Sequence, residues 1–523
     1  MSPHGKEDPV APPPRLSRRT ALRLTGLTLP AVALPAALTA CGTATGSPGR
    51  VLRVAQTADP KTLDPQKQGD LTSMNVLVNL FDTLTTRGPG NQLAPGLALS
   101  WSPLDRLTWR FRLRPGVRFH NGEPCDAHAV AFSVQRLLDP ATKSPIVELR
   151  YVKKATVADD LTVDLHLSEP DPILPAKVSL FGGVVVPPGY LRQVGNAGFA
   201  KHPVGTGPFT FVEFQRDHQT RMRANPAYWD GKPAFDELVF LPMPDPSSAL
   251  ASLQSDQVDI VANLTPDAAL QIQGYRGVEI RHCPGIRTSY LSLDTTAGPL
   301  RDVRVRRALN HAVDVPLLIK AVLDGKAREV PTMFPREAFG FDPSIRPYSR
   351  DVGLAKRLLA EAGFPNGFDT TLTAQTADAN TAEAISGLLA RAGVRAQVEL
   401  VDPGTYSSRL TSNNRGALGP IYLAASTGWT LDAESLVQSN VRHDRRQSRW
   451  RNAEADRLVD VEEQSLVPAD RQRAFTGLQH LLNQEAPFVF LYQIDTIYAV
   501  NTRPRWQPGV VGLLAMARAQ VAS

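Results

Sequence analysis

One apolar run decides what kind of chain this is: Leu24 to Ala40, preceded by Arg15, Arg18, Arg19 and Arg23 and interrupted by Pro30 and Pro35. Its seventeen residues fall short of the roughly 20 that a membrane helix needs, and two prolines would break such a helix. They have instead the length and the basic flank of an export signal. No later stretch stays apolar for eighteen residues. The rest of the chain must therefore bury its apolar side chains in cores of its own, outside the cytoplasm.

The run ends at Leu38-Thr39-Ala40-Cys41-Gly42, which resembles a bacterial lipobox. The expectation is that residues 1–40 are removed as a signal peptide and that Cys41 becomes the lipidated first residue, because the thioether to diacylglycerol forms on a thiol. Ser17-Arg18-Arg19-Thr20-Ala21-Leu22-Arg23 is also similar to a twin-arginine export signal, with Ala21 where a bulkier residue is usual. Gly42 to Arg50 have the composition of a flexible tether, so 41–50 reads as lipidated Cys and linker. The mature protein is expected on the outer face of the cell membrane or in a periplasm, held by its lipid alone. Cys125 and Cys283 then remain, 158 positions apart, and read as two buried free thiols.

At 523 residues the chain exceeds one ordinary core, and two to three domains are expected. The net charge of +6 would suit nucleic acid, but the first forty residues supply five basic side chains against two acidic ones. What remains is nearly balanced. The one dense basic patch, Arg442-His443-Asp444-Arg445-Arg446, has an acid inside it and reads as a solvated loop, so no nucleic-acid partner is expected.

Along the mature chain, short strands and helices alternate. Val51 to Ala55 predicts a strand, and Ser73 to Asp82 a helix opened by the polar loop Lys67 to Thr72. Leu107 to Leu113 alternates with Leu107, Trp109, Phe111 and Leu113 on one face, and the turn at Pro115-Gly116 suggests a hairpin with the residues after it. With a helix after Asp126, a compact α+β unit spans about 101–203. Val305, Leu309, Ala312 and Val313 stripe one helix, on which Arg304, Arg306 and Arg307 read as a solvated face. Near the C-terminus, Phe488 to Tyr492 and Thr496 to Asn501 read as two strands.

A different stretch carries the functional signal. After the apolar Ile421-Tyr422-Leu423, Gly428-Trp429-Thr430-Leu431-Asp432 would set an aromatic face and a carboxylate at the rim of a sheet, where open α/β folds keep their ligand crevices. The same residues also fit a packed Trp beside a solvated Asp. Catalysis finds little support. Ala424-Ala425-Ser426-Thr427-Gly428 lacks the first Gly of a serine-hydrolase elbow, and there is no His-Glu-x-x-His, no paired-Cys zinc spacing and no Gly-Lys-Ser/Thr. No enzyme activity, cofactor or metal site is expected.

Gly205-Thr206-Gly207-Pro208-Phe209, Asn225-Pro226-Ala227-Tyr228-Trp229-Asp230-Gly231, Asp302-Val303-Arg304-Val305-Arg306-Arg307-Ala308-Leu309 and Ala312-Val313-Asp314 follow one another in this order. Together with Phe119-His120-Asn121-Gly122 and the segment from Leu354 to Pro365, they resemble the signature of the extracytoplasmic solute-binding proteins of family 5, the peptide, nickel and oligosaccharide receptors of ABC importers. The resemblance runs over about residues 50 to 515.

That resemblance implies an α/β, two-lobed periplasmic-binding-protein type II fold with an extra α+β subdomain. Lobe I would take 51–100 and 204–285, the subdomain 101–203, lobe II 286–490, and 491–523 would return to lobe I. The function implied is capture of a peptide or peptide-like solute by hinge closure and delivery to a membrane permease served by a separate ATPase subunit, the receptor acting as a monomer. Asp432 would hold a ligand ammonium, Thr430 would add a hydrogen bond, Trp429 and Gly428 would line the edge, and Asp70, Leu71 and Thr72 would face them from the other lobe. Two departures from peptide receptors stand out: Ala433-Glu434-Ser435-Leu436 replaces the usual acid-proline pair, and Asp378-Ala379-Asn380-Thr381 stands where dipeptide receptors place an arginine. They speak against a dipeptide held at both ends and leave a longer peptide, an amine or an uncharged solute. Nickel or metal-chelate binding and oligosaccharide binding are the alternatives within the family; a lipid-anchored chaperone or adhesion protein is the alternative outside it.

Overall fold

The computed structural model describes residues 50–88, 91–445, 447–509 and 511–521. The segment expected to be an export signal and Cys41 lie outside the described residues. Among those described, no helix is long and apolar enough to cross a membrane.

Two long strands organise the molecule. Val278–Leu293 and Phe488–Asn501 pair antiparallel along most of their length, from Val278 opposite Asn501 to Ser292 opposite Phe488. On one side the sheet continues through Ile421–Thr427, Phe368–Gln375 and Val394–Val401; on the other it continues through Ile260–Val261, Val51–Gln56, Glu237–Pro242, Gln219–Ala224 and Phe209–Gln215. The two ends of the strand pair enter different cores. Leu291, Val489 and Leu491 pack with the helices Val303–Ala312, Val315–Val322 and Ala379–Ala390, whereas Cys283, Tyr498 and Val500 pack with Leu52, Phe209 and Phe240. Each lobe has its own apolar interior, and this strand pair is continuous through both. Midway, the register shifts between Pro284 and Arg287, a bulge that locally frees the strand from its ladder. A Cβ on Gly285 there would lie 2.4 Å from the Ile494 carbonyl oxygen, so the strands approach more closely than a side chain allows.

The C-terminal pattern read as two strands is one, because Gln493 and Asp495 interrupt the apolar run without interrupting the ladder. The first helix spans Leu71–Leu77 rather than 73–82: the Asp70 carboxylate accepts from the Ser73 N–H at 2.9 Å and opens it early, and Val78 ends it. Pro316 begins a new helix, Val315–Val322.

The small subdomain is a four-stranded antiparallel sheet in the order Ala98–Asp105, Thr108–Leu113, Thr162–Leu167, Val152–Asp159, with the helix Ala127–Leu138 on its inner face. Trp109, Phe111 and Leu113 are buried as expected, but Leu107 falls in the preceding turn and is exposed. The hairpin partner precedes this strand instead of following it: Ala98–Asp105 holds Pro103 and is tolerated because it is an edge.

The dispersed motifs turn out to be one packing unit. The Asp82 carboxylate accepts from the Thr206 hydroxyl at 2.8 Å, the Tyr228 hydroxyl at 2.9 Å and the Trp229 indole at 2.9 Å. Burial pushes its pKa up, and the three donors oppose that rise. His120 spans the neighbouring loop: its Nδ1 accepts from the Gly205 N–H at 3.3 Å, so Nε2 carries the proton to the Gly207 carbonyl at 3.0 Å. Burial lowers its pKa to about 4 and keeps it neutral. Gly205 and Gly207 are needed for close approach, since a Cβ on Gly205 would lie 2.0 Å from the Leu80 carbonyl oxygen.

The arginines of Val303–Ala312 divide. Arg304 is exposed beside Asp302, but Arg306 is buried and donates to the carbonyls of Leu300, Arg301 and Glu485. The solvated-face reading fails for Arg306 because it lies on the packed side, next to Val305 and Leu309, and serves carbonyls that water cannot reach. Cys125 and Cys283 are both buried and free.

Candidate functional site

The strand Ile421–Thr427 leaves the sheet at Gly428, and the chain turns sharply through Leu431, whose φ is +51°. Asp432 then precedes the helix Glu434–Asn440 and accepts its first amide, from Glu434, at 3.0 Å. Gly428, Thr430 and Asp432 are buried; Trp429 is half-buried and belongs to none of the apolar cores.

The Asp432 carboxylate already has a partner. Arg471 donates to it twice, at 2.8 and 2.7 Å, and reaches Glu462 at 3.3 Å. Arg471 comes from the helix Pro468–Glu485 and stacks on Phe339 and Phe475. Burial and the charge of Glu434 raise the pKa of Glu462 well above the usual range, against the opposing pull of Arg471. One carboxyl of this group is thereby kept protonated more readily than its neighbours.

Residues from the subdomain close over this turn. Lys177 Nζ lies 2.9 Å from Asp171 and 3.4 Å from Glu434; Arg150 lies 3.3 Å from Glu434 and also donates to Gln438; Gln438 donates to the Tyr151 hydroxyl at 3.0 Å. Arg87 donates to the Thr430 carbonyl, while its Nε is buried without a hydrogen-bond partner among the described residues. Burial lowers the pKa of Arg87 to about 10, and the guanidinium stays charged at neutral pH.

The expected partner loop is held by contacts of its own. Asp70 accepts from Thr72 and from the Ser73 amide and hydroxyl, and Gln56 donates to the Thr72 carbonyl. Among the described residues, no hydrogen bond joins residues 69–72 to 428–432. Lys177 could have been noticed as a lone cation in the apolar run Ile173 to Val178. Arg150 and Tyr151 carry no such signal.

Beside this seam lies a cleft of about 450 Å³, with Tyr151, Glu169 and Asp171 on one wall and Arg442, Arg445 and Glu463 on the other. Arg442 is more than a solvated loop residue: it is half-buried and paired with Asp460 and Glu463. The side chains that could serve a soft metal in the nickel alternative, His282, Cys283 and His443, do not converge. His282 pairs with Asp495, Cys283 lies on the other face of the strand against the Gly509 carbonyl, and His443 pairs with Asp456. The cleft has the size of a small-molecule site, for which about 300–1,000 Å³ is usual. It is bounded by the subdomain, which has a four-stranded sheet of its own, and by helices of the second lobe, and the two meet through polar contacts.

Comparison with known proteins agrees with this architecture. The family model described as "Bacterial extracellular solute-binding proteins, family 5 Middle" matches residues 92–447. The chain is 27% identical over 443 residues to the glutathione-binding protein GsiB of Escherichia coli O1:K1 / APEC, covering 82% of this chain and 86% of that one. HbpA2 from Haemophilus parasuis superimposes with a TM-score of 0.83 at 25% identity, covering 90% of this chain and all of that one. The periplasmic binding protein DppA from Helicobacter pylori, solved in complex with the peptide STSA, shares the fold with a TM-score of 0.74 at 24% identity. Two lobes joined by crossing strands, a cleft at their seam and a family match over most of the chain establish that this protein belongs to the family 5 bacterial extracellular solute-binding proteins.

Proposed function

We propose that the chain captures a peptide or peptide-like solute in the cleft between its subdomain and second lobe, by hinge closure, and presents it to an ABC permease energised by a separate ATPase subunit. The observation that carries this reading is the cleft itself, with charged side chains on both walls. The strand pair Val278–Leu293 and Phe488–Asn501, bulged at Pro284, supplies a hinge about which the lobes part. The glutathione-binding relative, whose ligand is a modified tripeptide, favours a peptide over a sugar.

Gly428, Trp429, Thr430 and Asp432, with Asp70, Leu71 and Thr72, remain proposed solute-facing residues. The half-buried Trp429 outside every core supports that edge. For Asp432 the pair with Arg471 is decisive: a solute ammonium reaches this carboxylate only in exchange for a guanidinium already in place.

The direct test is a thermal-shift screen of the mature protein against peptides, glutathione, oligosaccharides and nickel chelates. Peptides are expected to raise the melting temperature with concentration, by mass action; a shift confined to sugars or nickel would refute the peptide reading. We also propose that Cys41 is lipidated after export and that the receptor is a monomer tethered to the membrane. Cys41→Ser is then expected to move the protein from the detergent phase to the aqueous phase; retention with the membrane would exclude the lipid anchor.

A further inference from the structure

The short helix Glu434–Asn440 turns Glu434 and Gln438, one turn apart, toward the subdomain, and both side chains are buried. The cations that pair with the Glu434 carboxylate come from across the seam: Lys177 at 3.4 Å, at the end of the subdomain helix Leu174–Lys177, and Arg150 at 3.3 Å. Among the described residues no cation of its own lobe pairs with it, since Arg471 is taken up by Asp432 and Glu462. Gln438 accepts from Arg150 and donates to the Tyr151 hydroxyl at 3.0 Å. Arg150 and Lys177 also lie over the Tyr151 ring, at 4.8 Å and 5.5 Å. Leu466, just before the helix Pro468–Glu485, adds an apolar contact by packing against the core of the subdomain.

A buried carboxylate is costly unless a counter-charge or water offsets the burial. For Glu434 the subdomain supplies that counter-charge when the lobes meet, and water supplies the offset when they part. The charges brought together at the seam balance, Glu434 and Asp171 against Lys177 and Arg150. With Glu434 neutral, the closed seam would hold one cation in excess. Lys177 keeps Asp171 at 2.9 Å in either case, so removing the Glu434 charge strands no lysine. These contacts join the two bodies directly, at the edge of the cleft that Tyr151, Asp171 and Glu434 line, and none of them passes through a solute.

We propose that the Glu434–Gln438 face is a latch that closes on Lys177, Arg150 and Tyr151 in the empty receptor, so that part of the protein is closed before any solute arrives. Glu434 and Arg150 are positioning residues in this scheme. They favour the closed state by the same amount whatever solute is bound, and so add to affinity without adding to selectivity. The proposal rests on the hinge-closure part of the reading above and on nothing about which solute is taken.

The test measures the closed-to-open ratio without solute. Leu104, on the subdomain's edge strand Ala98–Asp105, and Leu400, on the second lobe's edge strand Val394–Val401, are both exposed. Spin labels at Leu104→Cys and Leu400→Cys report the distance between the two bodies by pulsed electron paramagnetic resonance, in the wild-type background and in Glu434→Gln, Arg150→Met and the pair combined. Melting temperatures establish that each variant folds; Arg150, whose side chain is 37% exposed, leaves no cavity when replaced. The empty wild type is expected to hold a closed population, and Glu434→Gln to lower its closed-to-open ratio about five- to tenfold, the difference between a charge-assisted and a neutral hydrogen bond. Arg150→Met should lower the ratio about two- to fivefold, as a partly exposed pair does, and the combined variant should lose less than the product of the two. An empty wild type that is wholly open, a ratio unchanged in Glu434→Gln, or losses that simply multiply would each overturn the latch. If the ratio is unchanged in the variants while saturating tripeptide still shortens the distance, the latch is wrong and hinge closure stands. A distance that moves neither with the variants nor with the tripeptide sinks both.

Discussion

Arg471→Met is expected to lower the unfolding free energy by about 3–5 kcal/mol. The loss is large because Asp432 and Glu462 are both buried and both depend on this one guanidinium. Removing it leaves two carboxyls in an interior where each must pair or take up a proton. In the variant the Glu462 carboxyl, already raised by burial, loses the guanidinium that opposed that rise, so the folded state holds a proton that the unfolded state has released. Stability then falls as pH increases from the ordinary carboxylate range toward the raised pKa of Glu462. The deficit should accordingly be greater at pH 7 than at pH 5 in urea unfolding. A deficit under about 1 kcal/mol at both pH values, the range of an exposed pair, would show that Arg471 is not the counter-charge. Arg471→Lys should recover only part of the loss, since an ammonium cannot make the paired contacts of a guanidinium.

Asp64→Ala should cost a similar amount, about 3–5 kcal/mol, at a different joint. Arg136, on the subdomain helix Ala127–Leu138, reaches Asp64 at 3.1 Å and also meets Gln66 at 2.7 Å and Asn196 at 2.9 Å. Asp64 is fully buried and the Arg136 side chain is nearly so, and the pair ties the subdomain to the segment that enters the first helix. Deleting the acid strands the cation. Replacing both, as Asp64→Leu with Arg136→Met, should return much of the loss, because an apolar pair carries no desolvation cost. Equal losses in the single and double variants would instead point to the neighbouring Gln66 and Asn196 contacts as the source.

Much of the architecture could be read from periodicity and spacing. The loop 205–207 and the aromatics of 228–229 come together because Thr206, Tyr228 and Trp229 share Asp82, and the turn at 120–122 joins them through His120 on Gly205 and Gly207. Their order along the sequence was visible; their shared carboxylate was not, because Asp82 lies more than a hundred residues before its partners. The site was harder. Arg471 shares a helical stripe with Phe475, Leu478 and Leu482, and Glu462 shares one with Ala455 and Val459, so the spacing alone places both charges on buried faces. What periodicity could not say is that these two charges would converge on Asp432. Arg150, Tyr151 and Lys177 reach the seam through the folding of the subdomain against the second lobe. Contacts of that kind depend on tertiary geometry and leave no local pattern.

If two lobes close on a solute, the distance across the seam must shorten when the solute binds. Val147 on the subdomain and Val467 before the helix Pro468–Glu485 are both exposed, and the native thiols Cys125 and Cys283 are buried. Spin labels at Val147→Cys and Val467→Cys would give the inter-lobe distance distribution by pulsed electron paramagnetic resonance. Without solute a broad distribution that includes an open population is expected, and saturating tripeptide should collapse it to a single short distance. A distribution that stays the same while the peptide is bound would contradict closure.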